Sequence, residues 1–275
     1  MEDYKRLLAN SYKEECMNDI QRKQDDWKWQ WERFEDKERW LFSDWILPNT
    51  LEDFRGKRVF DAGCGGGQHT SFVAPYAQEV VAVDLNALEV AKERTKAFTN
   101  IRYVEGDIAK IELNDTFDIV YCVGVIHHTD DPDATFKNLV KLTKSGGRTI
   151  VWCYSYEGNF LNRVFVEDAK RLILIRLPKS ALNAFSKFLT GLVYFPVYSL
   201  YLLPLKFLPY YEYFQNWRKL SFERSHLNVF DKLNAPQTDF IKKERAERWF
   251  TENGYRDISV TPYVGVSWRA SGTKI

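Results

Sequence analysis

Between Val59 and Thr70 the sequence reads VFDAGCGGGQHT, an acid followed by glycines at alternate positions: Asp61, then Gly63, Gly65 and Gly67, with Gly66 added. Glycine is needed where backbone turns with φ > 0, or where a ligand must touch main chain without a Cβ in the way. The dinucleotide pattern G-x-G-x-x-G fails here, since its third glycine would fall on Gln68 or Thr70. The acid inside the strand end suits a cationic group such as an amino acid's ammonium, and would repel a pyrophosphate. Asp84 closes the run EVVAVD, where a carboxylate can accept two ribose hydroxyls. Asp107, after Gly106, can accept from an exocyclic amine such as adenine N6, although an Asp after Gly is usually a turn former. His127 and His128 follow Gly124-Val125-Ile126, and an imidazole titrates near neutral pH, as a general base must. Equally, one His could orient the loop while the other is solvated. A metal site of His127, His128, Asp130 and Asp131 is disfavoured, because adjacent residues rarely converge on one ion and Asp131 reads as an N-cap.

The elements that must position these groups alternate strictly from Gly56 onward. Strands are expected at Lys57–Ala62, Glu79–Asp84, Ile101–Glu105, Phe117–Val123 and Arg148–Tyr154. FDIVYCV, the fourth, is a near-continuous apolar run, as suits a strand buried on both faces. Helices are expected at Gln68–Ala77, from an Asn86 N-cap (Glu89 completing a capping box) through Phe98, and from Asp131-Pro132 through Thr143. A helix over Thr238–Asn253 and a hairpin of Asp257–Pro262 and Val264–Arg269, turning at Pro262-Tyr263, complete the pattern. Alternating strands and helices with short loops imply a parallel sheet with right-handed crossovers. All four candidate sites then fall at strand C-termini, where a doubly wound sheet binds its ligand.

In this order, D-x-G-x-G-x-G, the acid of strand two, Gly106-Asp107 and the fourth-strand V-x-H-H resemble the class I S-adenosylmethionine (SAM) methyltransferases. The resemblance is strong over residues 57–154 and looser over 238–270, and points to the type 11-like group that includes ubiquinone, menaquinone, sugar and natural-product methylases. It implies a Rossmann-like α/β fold: a doubly wound, seven-stranded, mostly parallel sheet with N-terminal helices and a helical insertion after the fifth strand. It implies SAM as cofactor, with Asp61, Gly63, Gly65 and Gly67 lining its methionine part. Asp84 and Leu85 would hold ribose and adenine, Asp107 and Ile108 the adenine edge, and the Val123 backbone would lie near the methionyl group. His127 and His128 would face the methyl. The Asn/Asp-Pro-Pro-Tyr signature of amino-group methylation on bases is absent, which favours oxygen or carbon acceptors.

Composition bounds the remainder. The 39 basic and 38 acidic residues nearly cancel, so nothing global announces nucleic acid. Cys16, Cys64, Cys122 and Cys153 form no C-x-x-C pair, which reads as a reducing compartment. MEDYKRLL lacks the layout of a signal peptide, leaving cytoplasm as the default. Residues 3–47 read as charged helices with an aromatic face of Trp27, Trp31, Phe34, Trp40, Phe42 and Trp45. They are either a hairpin packed on the domain or a lid over the cofactor cleft. Three segments result: 1–55 as helical extension or lid, 56–154 with 236–275 as core, and 155–235 as a helical, apolar and basic insertion capping the acceptor. In that insertion Phe160, Val164, Leu172 and Ile175 suggest an amphipathic helix, and Phe188–Leu205 runs 18 residues without a charge. Pro196, Pro204 and pairing of the flanking strands in one sheet exclude a single membrane crossing. The insertion is either a cap alone, or a cap whose Phe188–Tyr211 ridge also enters a membrane surface while Arg171, Arg176, Lys179, Lys187 and Lys206 meet anionic head groups. The expected function is methyl transfer from SAM to a small-molecule or lipid-like acceptor, at oxygen before carbon or nitrogen. The alternatives are RNA methylation, or a SAM-fold scaffold that binds without catalysis.

Overall fold

Runs rich in Val, Ile and Phe, bounded by Gly and Asp, set the strands: β1 (Arg58–Ala62), β2 (Glu79–Asp84), β3 (Ile101–Glu105), β4 (Phe117–Val123), β5 (Thr143–Tyr154), β6 (Tyr255–Tyr263) and β7 (Ser267–Lys274). The computed structural model, which describes residues 21–22 and 24–275, joins them in one sheet of order β3-β2-β1-β4-β5-β7-β6. Only β7 runs antiparallel to its neighbours; the other pairings are parallel. This is the doubly wound, mostly parallel, Rossmann-like sheet. Its order reverses between β1 and β4, which opens a crevice at the strand C-termini. Alternate residues serve opposite faces. Phe60, Val81, Val83 and Val120 pack against α5 (Pro132–Leu142) and α10 (Lys243–Thr251) through Phe136, Leu139, Trp249 and Phe250. Val59, Val80, Ile119 and Tyr121 pack against α2 (Arg39–Trp45) and α3 (Gln68–Val73) through Phe42, Trp45 and Val73. The helix α4 (Leu88–Arg94) covers Ala82 and Cys64 with Leu88 and Ala91.

Two helical parts pack together beside the sheet. One is α1, over residues 24–33. The other is built from α6 (Glu167–Leu172), α7 (Lys179–Val197), α8 (Tyr211–Trp217) and α9 (Phe222–Asn234). They share a core, in which Phe34 meets Leu182, Leu227 and Phe230. Buried polar groups then fasten one to the other. Asp26 pairs with Lys179 at 2.7 Å and Asp36 with Arg224 at 2.8 Å. Gln30 donates to Asp231 at 3.0 Å, and Asn234 donates to the Asp26 carbonyl and the Gln30 side chain. Burial pushes the Asp26 carboxyl up, against the pull of Lys179. Removing one partner of such a pair leaves an uncompensated buried charge, the costly direction.

Several elements depart from the sequence pattern for identifiable reasons. The last helix begins at Lys243 rather than Thr238, because Asp239 and Ile241 donate their backbone N–H groups to the carbonyls of His127 and Tyr154. That strap bridges Ile241 to Ser155 in parallel and cannot also be helical. The closing hairpin turns at Val264-Gly265, both at positive φ, and not at Pro262-Tyr263. Pro262 sits inside β6, the sheet's edge strand, where a missing N–H is tolerated. Asn86 is no N-cap: α4 starts after Ala87, ends at Arg94 rather than Phe98, and has no side-chain cap. In the insertion, Phe160, Val164 and Leu172 face outward, so the amphipathic helix has its apolar side on the surface. Of the basic residues assigned to head groups, Lys179 is turned inward to Asp26. The expected helix start at residue 3, Cys16 and the Arg171 side chain lie outside the described residues.

Gly158 lies where the insertion leaves the sheet, and a Cβ there would overlap the Gly265 carbonyl oxygen in the β6–β7 turn. Neither backbone segment can yield cheaply. Gly158→Ala is expected to destabilise the fold by about 1–3 kcal/mol or more, as overpacking does. Gly191→Ala is the control. It lies within α7 with open space where the Cβ would go, and should gain up to about 1 kcal/mol. Urea unfolding followed by circular dichroism checks both, and equal midpoints would refute the close approach.

Candidate functional site

At the C-terminal ends of β1 to β4 lies a cavity of about 390 Å³. Each strand delivers a different group to it. The β1 turn presents Gly63 and Gly65, both at positive φ. A Cβ on Gly63 would fall 2.6 Å from Val125, and one on Gly65 would fall 2.8 Å from the Trp31 ring. Gly67, also at positive φ, does not line the cavity; its missing Cβ lets α3 pass Ala91 of α4.

The β2 end presents Asp84, Leu85 and Asn86. The Asp84 carboxylate accepts from the backbone N–H groups of Gly65 at 2.8 Å, Asn86 at 3.1 Å and Ala87 at 3.2 Å. Burial raises its pKa and those backbone hydrogen bonds oppose the rise. With three N–H groups on two oxygens, the carboxylate keeps lone-pair capacity for a ligand hydroxyl. The β3 end presents Gly106, Asp107 and Ile108. Asp107 also accepts from the Ala109 N–H at 2.9 Å and meets Lys110 at 3.2 Å, so it is a turn former as well as a lining acid.

Beyond β4 the lining runs from Gly124 and Val125 through His128, Thr129, Asp130 and Asp131 to Ala134. Val123 stays in the core paired to Trp152, and His127 also does not line the cavity. The two histidines thus part company. His128 bonds through Nδ1 to the Gln237 carbonyl at 2.8 Å. A carbonyl only accepts, so Nδ1 carries the proton and Nε2 keeps the lone pair. Burial lowers the His128 pKa, keeping the ring neutral. His127 is fully buried, with no partner for either ring nitrogen among the described residues. Its ring centroid is 4.2 Å from that of His128 and 4.4 Å from that of Tyr154. Burial pushes its pKa well below the usual range.

Asp61 lies beneath the glycine turn and does not line the cavity. It accepts from the Thr70 hydroxyl at 2.6 Å. Burial pushes its pKa up to about 7, with Thr70 pulling the other way. Among the described residues no group of three His, Cys, Asp or Glu side chains could hold a metal ion.

The cavity's roof is α1. Gln24, Trp27 and Trp31 line it, and the Trp27 ring lies 5.0 Å from that of His128. Arg94 of α4 donates to the carbonyls of Trp31 and Phe34 at 2.7 and 2.9 Å, holding the end of this helix down. Gln237 and Pro236, which complete the lining beside His128, carried no signal in the sequence. Nor did Tyr154, whose hydroxyl donates to Asp231 at 3.1 Å.

Residues 60–151 match the family described as "Methyltransferase domain". The chain is 33% identical over 104 residues to the mitochondrial ubiquinone biosynthesis O-methyltransferase of Schizosaccharomyces pombe, a match covering 36% of this chain and 38% of that protein. To the ubiquinone biosynthesis O-methyltransferase of Aliivibrio fischeri it is 28% identical, over 49% of this chain and 58% of that one. The chain thus spans between about two fifths and three fifths of these relatives' own length. Among solved structures it is similar to magnesium protoporphyrin IX methyltransferase from Synechocystis PCC 6803 with bound SAH, at TM-score 0.50 and 14% identity, over 86% of this chain and 82% of that one. Glycine turn, strand order and crevice thus coincide on the stretch that matches the methyltransferase-domain family.

Proposed function

We propose that the protein transfers a methyl group from SAM to an oxygen of a small-molecule or lipid-like acceptor. The observation that carries this reading is the convergence of Gly63, Gly65, Asp84, Asp107 and His128 on one cavity under α1. The residues fit the cofactor: two glycines for close backbone approach, one acid for ribose hydroxyls, and a second for an exocyclic amine. Leu85 and Ile108 offer apolar contact to a base on that side. Asp61, beneath the glycine turn, offers negative charge toward an ammonium. When bound, SAM supplies a methyl already activated by its sulfonium. What remains for the protein is alignment, exclusion of water and, for a hydroxyl acceptor, removal of a proton. Trp27 and Trp31 exclude water. His128 takes the proton on Nε2 while Gln237 fixes the ring through Nδ1. In this reading α1 is the lid, residues 56–154 with 236–275 are the core, and residues 155–235 are the acceptor cap.

Asp84→Ala should lose charge-assisted hydrogen bonds worth roughly 1.5–3 kcal/mol, or about one to two decades in SAM affinity. Titration calorimetry giving native affinity would sink the cofactor assignment. Asp84→Asn separates lost charge from lost shape.

His128→Ala should lower turnover by about two to four decades with SAM affinity nearly intact. The sign of the pH dependence follows from the shift. Burial lowers the His128 pKa below that of an ordinary imidazole, so the base is lost only as pH falls through that lowered value. The acid limb of the rate profile should therefore lie below that of free imidazole, and vanish in the variant. Native turnover in His128→Ala would make the pair structural.

The apolar surface of the cap supports a second element of the reading, contact with a membrane surface. Phe188, Phe195 and Phe207 are 61%, 80% and 81% exposed, beside exposed Lys187 and Lys206. Patches of this kind mark interaction sites. Among the described residues no helix is long and apolar enough to cross a membrane. Flotation with phosphatidylglycerol vesicles should carry the protein upward at low salt, and Phe195→Ser with Phe207→Ser should leave it at the bottom. Wild-type protein that never floats would leave a cap alone.

A further inference from the structure

A second cavity, of about 300 Å³, lies between β5 and the insertion. Its walls are aromatic, with Trp45, Trp152, Tyr154, Tyr213 and Trp217 among them. One layer of side chains parts it from the first cavity: His127 touches His128 on one side and Tyr154 on the other. Lys232 of α9 is the single charged residue in its lining. Its ammonium lies 5.3 Å from the Tyr154 ring centre and 5.5 Å from that of Tyr213, and donates to the Tyr213 hydroxyl at 3.4 Å.

No carboxylate among the described residues pairs with Lys232. The contrast with its neighbours is sharp. Lys170 meets Glu167, Lys179 meets Asp26, and Arg224 meets Asp36, all within 2.8 Å. The adjacent Asp231 forms no ion pair with it and is engaged by Tyr154 and Gln30. Ring faces stabilise a cation in part, but a half-buried ammonium among aromatic walls still lacks a counter-charge.

A third cavity, of about 690 Å³, continues from the second, sharing Tyr210, Val264 and Val266. It runs out past Phe160, Leu161 and Leu208 toward the exposed apolar surface of the insertion. The sequence of environments is therefore a cation, then flat aromatic walls, then a mostly apolar channel that also carries Lys206 and Glu212.

We propose that the second cavity binds an anionic amphiphile: an anionic oxygen group on Lys232, a planar body between the aromatic walls, and an apolar tail passing Tyr210 into the third cavity. The proposal does not make this ligand the methyl acceptor, since a layer of side chains parts the two cavities. The charge requirement rests on the cavity itself.

Calorimetry with para-decyloxybenzoate and its neutral amide, para-decyloxybenzamide, tests it at neutral pH. The benzoate should bind at least about tenfold more tightly to the wild type, as one ion pair in a partly desolvated site allows. Lys232→Gln should abolish that preference and leave the amide's affinity unchanged. Lys232→Arg should keep it. Lys206→Gln, at the exposed mouth of the third cavity, should keep it too. Equal affinities in the wild type, or an undiminished preference in Lys232→Gln, would overturn the proposal. SAM affinity is measured on the same samples. If SAM fails to bind while the benzoate preference stands, the methyltransferase reading falls and the amphiphile site does not.

Discussion

The carboxylate of Asp84 is the knot on which the cleft depends. It accepts from Gly65 in the β1 turn and from Asn86 and Ala87 at the entrance to α4, so one side chain fixes two chain segments that are adjacent only through the β1–β2 pairing. A buried carboxylate with N–H partners is rigid, because moving it would strand three donors. The glycine turn after β1 and the acid that ends β2 are thus a single unit. Asp61, one strand position below the turn, adds negative potential beneath the same glycines. Among the described residues the crevice is lined by the acids Asp84, Asp107, Asp130 and Asp131, and its one lysine, Lys110, is paired with Asp107.

What closes this crevice is fastened to something else. The helix α1 supplies Trp27 and Trp31 to the first cavity, yet its buried ion pair and amide contacts run to α7 and α9 of the insertion. The Arg94 clasp ties its far end to α4. Cover and cap therefore share a polar seam: Asp26, Gln30 and Asp36 on one side, Lys179, Arg224, Asp231 and Asn234 on the other. A buried charge pair resists separation, since each partner alone would be stranded in a poor dielectric. Displacing α1 from the first cavity then drags on the helices that wall the second. The two cavities are mechanically linked even though no residue lines both.

How much of this could be read from residues alone follows from where the physics is local. The β1 to β5 run was legible because apolar runs, terminal acids and glycine turns are short-range signals, and four strand ends could be placed on one crevice. The β6–β7 turn was misplaced because Pro262 is a louder signal than Val264-Gly265, although an edge strand tolerates it. The start of α10 was missed because the strap at Asp239–Ile241 is fixed by carbonyls of His127 and Tyr154, more than 80 residues away in sequence. The distinction between His127 and His128 was equally invisible, since only the Gln237 carbonyl separates them. The insertion was the least legible part. Its apolar residues face outward at Phe160, Val164 and Leu172, so periodicity named a helix and said nothing of which side it buries.

His127 raises the remaining question of why a wall between two cavities should contain an imidazole. A buried ring with no hydrogen-bond partner among the described residues forfeits roughly 1–3 kcal/mol, which a phenylalanine in the same slot would not. The ring contacts Tyr154 and His128 and, like them, lies within reach of the Lys232 field, which with burial holds it neutral. A neutral imidazole offers one donor and one acceptor, and neither is spent inside the protein. His127 lines neither cavity, so its neutral ring is held between Tyr154 and His128 by ring contacts alone and acts as packing in the partition.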